Sequence, residues 1–127
     1  MNMNPNIMVC VTRQKTCERL INIGREIAKK TDGNLHVVHA VKNGTNFFDD
    51  PHEGEALEHL FQISKHAGAN MSVLRSGNVI GTLIEFAQSN EIDIAVLGAP
   101  PKSKHASGIV FELERSLPDV EFHVIEG

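Results

Sequence analysis

The chain has 127 residues, 41% hydrophobic and 22% charged. That is an ordinary globular balance for a single domain spanning 1–127, large enough to bury a core without metal or disulfide staples. A net charge of −4, no Trp or Tyr and six scattered Phe argue against nucleic-acid and membrane partners. The opening MNMNPN has no signal-peptide core, and no apolar run approaches membrane-spanning length. Cys10 and Cys17 form neither a C-x-x-C pair nor a disulfide framework. A cytoplasmic protein with reduced thiols is expected.

The first predicted strand is 7–12, IMVCVT. A helix over 16–30 follows, with Thr16 as N-cap and Glu18 in the positive first turn. Leu20, Ile23, Ile27 and Ala28 form its apolar stripe, Lys29 and Lys30 sit at its negative end, and Gly33 is the expected stop. The second strand is 35–41, LHVVHAV, followed by a polar loop over 42–51 in which Phe47 and Phe48 are expected to fold back on the core. A second helix covers 52–66 and ends at Gly68. The third strand is 71–75.

The stretch SGNVIGTLIEFAQSNEIDIAVLGAPPKSK, 76–104, carries the most information. In the helix 79–90, Val79, Ile80, Leu83, Ile84 and Ala87 recur at helical spacing. The strand 92–97 is apolar except for Asp93 at its mouth, as expected of a parallel strand covered on both faces. Gly98 closes it. A short helix over 107–117 is broken by Pro118, and 120–125, VEFHVI, is the last strand.

Strict βα alternation with right-handed crossovers gives an α/β fold: a doubly wound five-stranded parallel sheet with helices on both faces. The long loop after the second strand favours order 3-2-1-4-5. The switch point then falls between the first and fourth strands, at loops 12–16 and 98–107, where such sheets bind ligands. Those loops, with the helix start that follows the second, hold Thr12, Arg13, Gln14, Lys15, Gly98, Lys102, Lys104, His105, Ser107 and Gly108. Two helix N-termini join the basic residues there, a combination suited to phosphate or another anion. A solvated basic rim is the alternative.

No catalytic constellation is visible. The switch loops lack paired carboxylates for magnesium; Asp93 lies at the opposite end of its strand, and Asp49 and Asp50 approach only if their loop folds over. Neither a Walker loop nor G-x-G-x-x-G occurs. No metal site is expected. His52, His59 and His66 share a helix face, but seven residues of helix rise about 10.5 Å, too far to share one ion. Glu55 and His59 make an ordinary i, i+4 surface pair. His36, His39 and His123 lie in strands and are expected to be packed or hydrogen-bonded. Cys10 reads as a small buried hydrophobe. Cys17 has the helix dipole, Arg13 and Lys15 near it but no acid–base partner.

With IMVCVTRQKTCERLINIGREIAKKTDGNLHVVHAV, SGNVIGTLIEFAQSNEIDIAVLG and VEFHVIE in view, the whole chain resembles the universal stress protein family. The opening VCVTRQKTCERLI is similar to one branch, the stress-protein-like cytoplasmic domain of Kdp-type potassium-sensing histidine kinases. The resemblance implies a nucleotide α-hydrolase-like sheet of order 3-2-1-4-5. Family members that bind ATP carry G-x-x-G-x₉-G-[ST] after the fourth strand. Gly98 matches the first glycine, but Pro101 stands at the second, and Ser107–Gly108 is a reversed remnant in a shorter loop. Proline offers no N–H to a phosphate, so the usual cradle cannot form at that point. Thr12-Arg13-Gln14 stands where ATP binders place an Asp. Thr12 and Gln14 only loosely resemble the first element of cyclic dinucleotide receptors, and HVVHAV lacks their aromatic second element.

The resemblance implies a homodimer through the last strand, with Val120, Phe122 and Val124 on one face and Glu121, His123 and Ile125 on the other. A kinase or transporter partner follows from the same branch. The expected function is a non-catalytic stress-response or signalling module, with ATP or another adenine nucleotide as the candidate ligand at a degenerate site. The alternative is an ATP-binding protein with slow hydrolase activity.

Overall fold

Short apolar runs separated by amphipathic stretches fold as alternating strands and helices. The computed structural model describes residues 4–11, 14–42, 53–98 and 107–125. In chain order these form β1 (Asn6–Cys10), α1 (Gln14–Thr31), β2 (Asn34–Lys42), α2 (Glu53–His66), β3 (Asn70–Ser76), α3 (Val79–Ser89), β4 (Ile94–Gly98), α4 (Ser107–Ser116) and β5 (Glu121–Ile125). The strands make one sheet of order β3-β2-β1-β4-β5, parallel throughout. The expected topology is therefore the observed one.

The period of two along each strand divides the core into two layers. Ile7, Val9 and Val11 of the β1 segment point toward α1 and α2, where they meet Leu20, Ile21, Leu60 and Val96. Met8 and Cys10 point the other way, toward Leu83, Ala87, Leu113 and Leu117 of the α3–α4 segment. Central strands β1 and β4 are covered on both faces, which is why they contain no polar alternation. Gly24 lets α1 lie close on the sheet, since a Cβ there would sit 2.5 Å from Val9 Cγ2.

Three helices end in the same way. Asp32 (φ 54°), Gly68 (φ 74°) and Glu91 (φ 50°) take the left-handed conformation just past α1, α2 and α3. The next N–H reaches back to a carbonyl five residues earlier: Gly33 to Ala28 at 2.9 Å, Ala69 to Ser64 at 2.9 Å and Ile92 to Ala87 at 2.9 Å. Gly68 is the expected stop of α2. For α1 the expectation is corrected, because Asp32 makes the left-handed turn. Gly33 serves packing instead, since a Cβ there would lie 2.6 Å from the Pro5 carbonyl oxygen. Helix α1 also starts at Gln14 rather than from a cap on Thr16, and no acidic residue lies in its first turn. Gln14 and Lys15 are good helix formers and extend the helix backwards. Asn78 caps α3, its side-chain oxygen accepting from Gly81 N at 3.0 Å.

At the amino edge of the sheet, Asn6 and Asp93 form a clasp. Asn6 N donates to Asp93 Oδ2 at 2.9 Å, and Asp93 N donates to Asn6 O at 2.8 Å. The Asn6 amide also donates to the Asn90 and Glu91 carbonyls, each at 3.1 Å. This clasp occupies Asp93 before the ladder starts, so β4 begins at Ile94 rather than at Ile92.

Candidate functional site: the carboxyl rim between β1 and β4

The winding reverses between β1 and β4. Helix α1, which follows β1, covers one face of the sheet, and α4, which follows β4, covers the other. The two adjacent strands are in register from Ile7↔Ile94 to Cys10↔Leu97, so their carboxyl ends open side by side. This is the geometry of a ligand crevice in an open α/β sheet.

The rim is built from below. Val11 N donates to Val38 O at 2.9 Å, which ties the end of the β1 segment to β2. The Val11 carbonyl is held from the side by His39 Nδ1 at 2.6 Å. His39 is 1% exposed, and burial pushes its pKa below the ordinary value while the Val11 bond pulls the other way. The imidazole is therefore a neutral, packed support for the last residue of the rim. The sequence places His39 in a strand and does not link it to the rim; two histidines, His36 and His39, in the otherwise apolar run LHVVHAV were the available signal.

Across the rim, Gly98 ends β4. A Cβ on Gly98 would lie 3.4 Å from Leu20 Cδ1, an ordinary contact, and its φ is not left-handed. Among the described residues, then, no contact requires a glycine there, and the backbone does not require one either. Gln14 and Lys15 open α1, and Ser107 and Gly108 open α4, so both helix starts follow the strands of the switch point. Their leading N–H groups and dipoles supply partial positive charge. Thr12, Arg13, Lys102 and Lys104 lie outside the described residues, as do His105, Pro101, Phe47, Phe48, Asp49 and Asp50.

Other chemistry-bearing groups stand away from the rim or are inert. Asp93 is at the opposite edge, in its clasp with Asn6. The Cys10 thiol is pushed up to about 12 by burial, so it is no nucleophile at neutral pH. Burial also lowers His36, whose ring stands edge-on to Phe86 with centroids 5.9 Å apart. A surface depression along α1, lined by Glu18, Arg19, Asn22, Ile23 and Glu26, carries two carboxylates that oppose an anion. Among the described residues, no three His, Cys, Asp or Glu gather to hold a metal within one chain.

Comparison with known proteins agrees with this geometry. The model of the universal stress protein family matches residues 3–112. The chain belongs to the universal stress protein family. No curated protein matches it. A universal stress protein from Archaeoglobus fulgidus, solved in complex with dAMP, is similar at 20% identity and a TM-score of 0.64, over 98% of each chain. A universal stress protein solved in complex with cAMP is 16% identical, with a TM-score of 0.64 over 95% of each chain. UspA from Lactobacillus plantarum is 21% identical, with a TM-score of 0.61 over 98% of this chain and 99% of its own. At these identities the likeness is one of fold. Among the described residues, no helix is long and apolar enough to cross a membrane.

The two outer strands are β3 and β5. Phe122 of β5, and Val120 just before the strand, pack against the α3–α4 core layer, while Ile125 packs against the α1–α2 layer. Of the three residues expected at a dimer surface, Val124 is the exposed one, at 41%. Val120 precedes the strand, which begins at Glu121. Phe111, on the neighbouring α4, is 63% exposed.

Proposed function

We propose that this universal stress protein is a non-catalytic stress-response or signalling module that binds an adenine nucleotide or a similar anion at the carboxyl rim between β1 and β4. One observation carries the reading: the winding reverses at these two adjacent strands, and a helix starts just beyond each of them. The A. fulgidus protein of the same fold was solved with dAMP, and another stress protein with cAMP. The sequence adds Arg13, Lys15, Lys102 and Lys104 to the two switch loops. Pro101 removes one backbone donor from the phosphate loop, so the site favours a ligand held by lysines and helix starts over a tightly wrapped triphosphate. Thr12, Gln14, Gly98, Ser107 and Gly108 complete the proposed contacts.

Isothermal titration with AMP, ADP, ATP, cAMP and cyclic dinucleotides tests this. Binding that weakens with salt, and weakens further in the Lys102→Ala/Lys104→Ala double variant, is expected. Unchanged affinity in that variant contradicts the site. Phosphate release from ATP that depends on the same lysines would favour the hydrolase reading instead.

We further propose that the module acts as a homodimer through β5. The strand is an outer strand of the sheet beside exposed Val124 and Phe111, and such an edge is a template for pairing. The likeness of VCVTRQKTCERLI to Kdp-type sensor kinases supports a kinase or transporter as the protein it reports to, from a cytoplasmic location.

A further inference from the structure

We infer that pairing of two β5 edges creates a transition-metal site of zinc type, built from Glu121 and His123 of both copies. The inference rests on the β5 homodimer proposed above. Glu121 and His123 lie two residues apart on one strand, so they share a face. Their heads already converge, with His123 Nε2 2.7 Å from Glu121 Oε2. Both remain open to solvent, His123 at 38% and Glu121 at 67%.

Symmetry supplies the rest. A two-fold axis normal to the sheet makes the paired strands antiparallel and leaves each residue and its copy on the same face. Residues directly opposite must also share a face, and the faces alternate along the strand. The axis therefore has to pass beside a residue that opposes its own copy. Full overlap of Glu121–Ile125 makes that residue His123. Phe122 then lies opposite the second copy's Val124, an aromatic–β-branched pair that covers the exposed valine on the other face. That match is why the edge suits a second copy of this chain.

In such a pair the two His123 Cα atoms are about 4.5–5.5 Å apart. Each copy adds Glu121 on the same face, two positions from the axis. Two imidazole nitrogens and two carboxylate oxygens make a closed four-ligand set, and zinc takes such ligands at about 2.0–2.2 Å. The ion would replace the hydrogen bond that joins the two heads now. One chain supplies only half of this set, consistent with the lack of a three-ligand group among its described residues.

The test uses the untagged full chain in sedimentation velocity, in EDTA and in zinc chloride, with bound zinc measured by mass spectrometry. The inference predicts one zinc per two chains and a dimer dissociation constant at least tenfold lower in zinc. His123→Ala and His123→Gln should each lose both effects yet still dimerise in EDTA. The His59→Ala/His66→Ala control should keep both effects. A dimer in EDTA that takes up no more zinc than the His123 variants overturns the metal site and leaves edge pairing intact. A monomer in both conditions overturns the metal site and the edge pairing together.

Discussion

His39 Nδ1 lies 2.6 Å from the carbonyl oxygen of Val11. A carbonyl only accepts, so Nδ1 carries the proton. The bond fixes the last residue of the β1 segment before the switch loop. His39→Ala removes that donor and leaves a cavity, with an expected loss of about 1–3 kcal/mol for the unmet buried carbonyl alone. His39→Asn keeps an amide donor near the Nδ1 position and should lose less. Urea unfolding of both variants at neutral pH checks the order.

The same histidine gives stability a pH dependence. Burial lowers both His36 and His39 in the folded protein below the ordinary histidine value of about 6.5. The unfolded chain therefore binds protons first as pH falls. Their contribution is complete above about 6.5, and it is lost as pH falls through that value toward the folded pKa values. The urea midpoint should drop between pH 7.5 and 5.5, and His39→Asn should flatten the decline. A midpoint that rises on acidification contradicts the buried neutral state.

Glu91 holds a left-handed turn at φ 50° that glycine adopts without steric cost. Glu91→Gly should raise stability by about 0.5–1 kcal/mol, since relief of the turn outweighs the added unfolded-state freedom. At Gly24 the opposite holds. A methyl group there would meet Val9 Cγ2 at 2.5 Å and Leu35 Cδ1 at 3.0 Å. Gly24→Ala should destabilise by about 1–3 kcal/mol despite its better helix propensity. Melting temperatures moving in opposite directions are the expected readout.

These positions show where the sequence was legible and where it was not. Apolar runs such as IAVL in β4 signalled two-sided burial, and right-handed crossovers left few strand orders. Helix ends were harder to read. Gly68 announced the stop of α2, whereas Asp32 and Glu91 make the same turn without a glycine, because the bonds of Gly33 and Ile92 hold it. Gly33 looked like a stop but answers to its closeness to Pro5. At the candidate site, Gly98 and the two helix starts were legible. The support of Val11 by His39 was not, since a bond between residues 28 apart leaves no local pattern.

Cys10 should be chemically silent in the native protein. With its pKa pushed up to about 12, its thiolate fraction at pH 8 is on the order of one in ten thousand. In a Cys17→Ser background, a chromogenic disulfide reagent should find no reactive thiol until denaturant is added, and then one. Rapid labelling of the folded variant would contradict the packing of β1 against α3 and α4.

Gly98 separates the demands of folding from those of binding. Among the described residues a methyl group there makes an ordinary contact, 3.4 Å from Leu20 Cδ1, so Gly98→Ala should change stability by less than about 1 kcal/mol. If the rim holds a ligand close to its backbone, the same change should weaken nucleotide binding several-fold. Equal affinity in the variant and the parent would show that the ligand does not approach Gly98.

The most direct test of the nucleotide site is an amide chemical-shift titration of the isotope-labelled protein with AMP and cAMP. Saturable shifts clustered at Val11, the first turn of α1, Leu97–Gly98 and the start of α4 are expected. Shifts centred on the Asn6–Asp93 edge, or no saturable shifts at millimolar nucleotide, would contradict it.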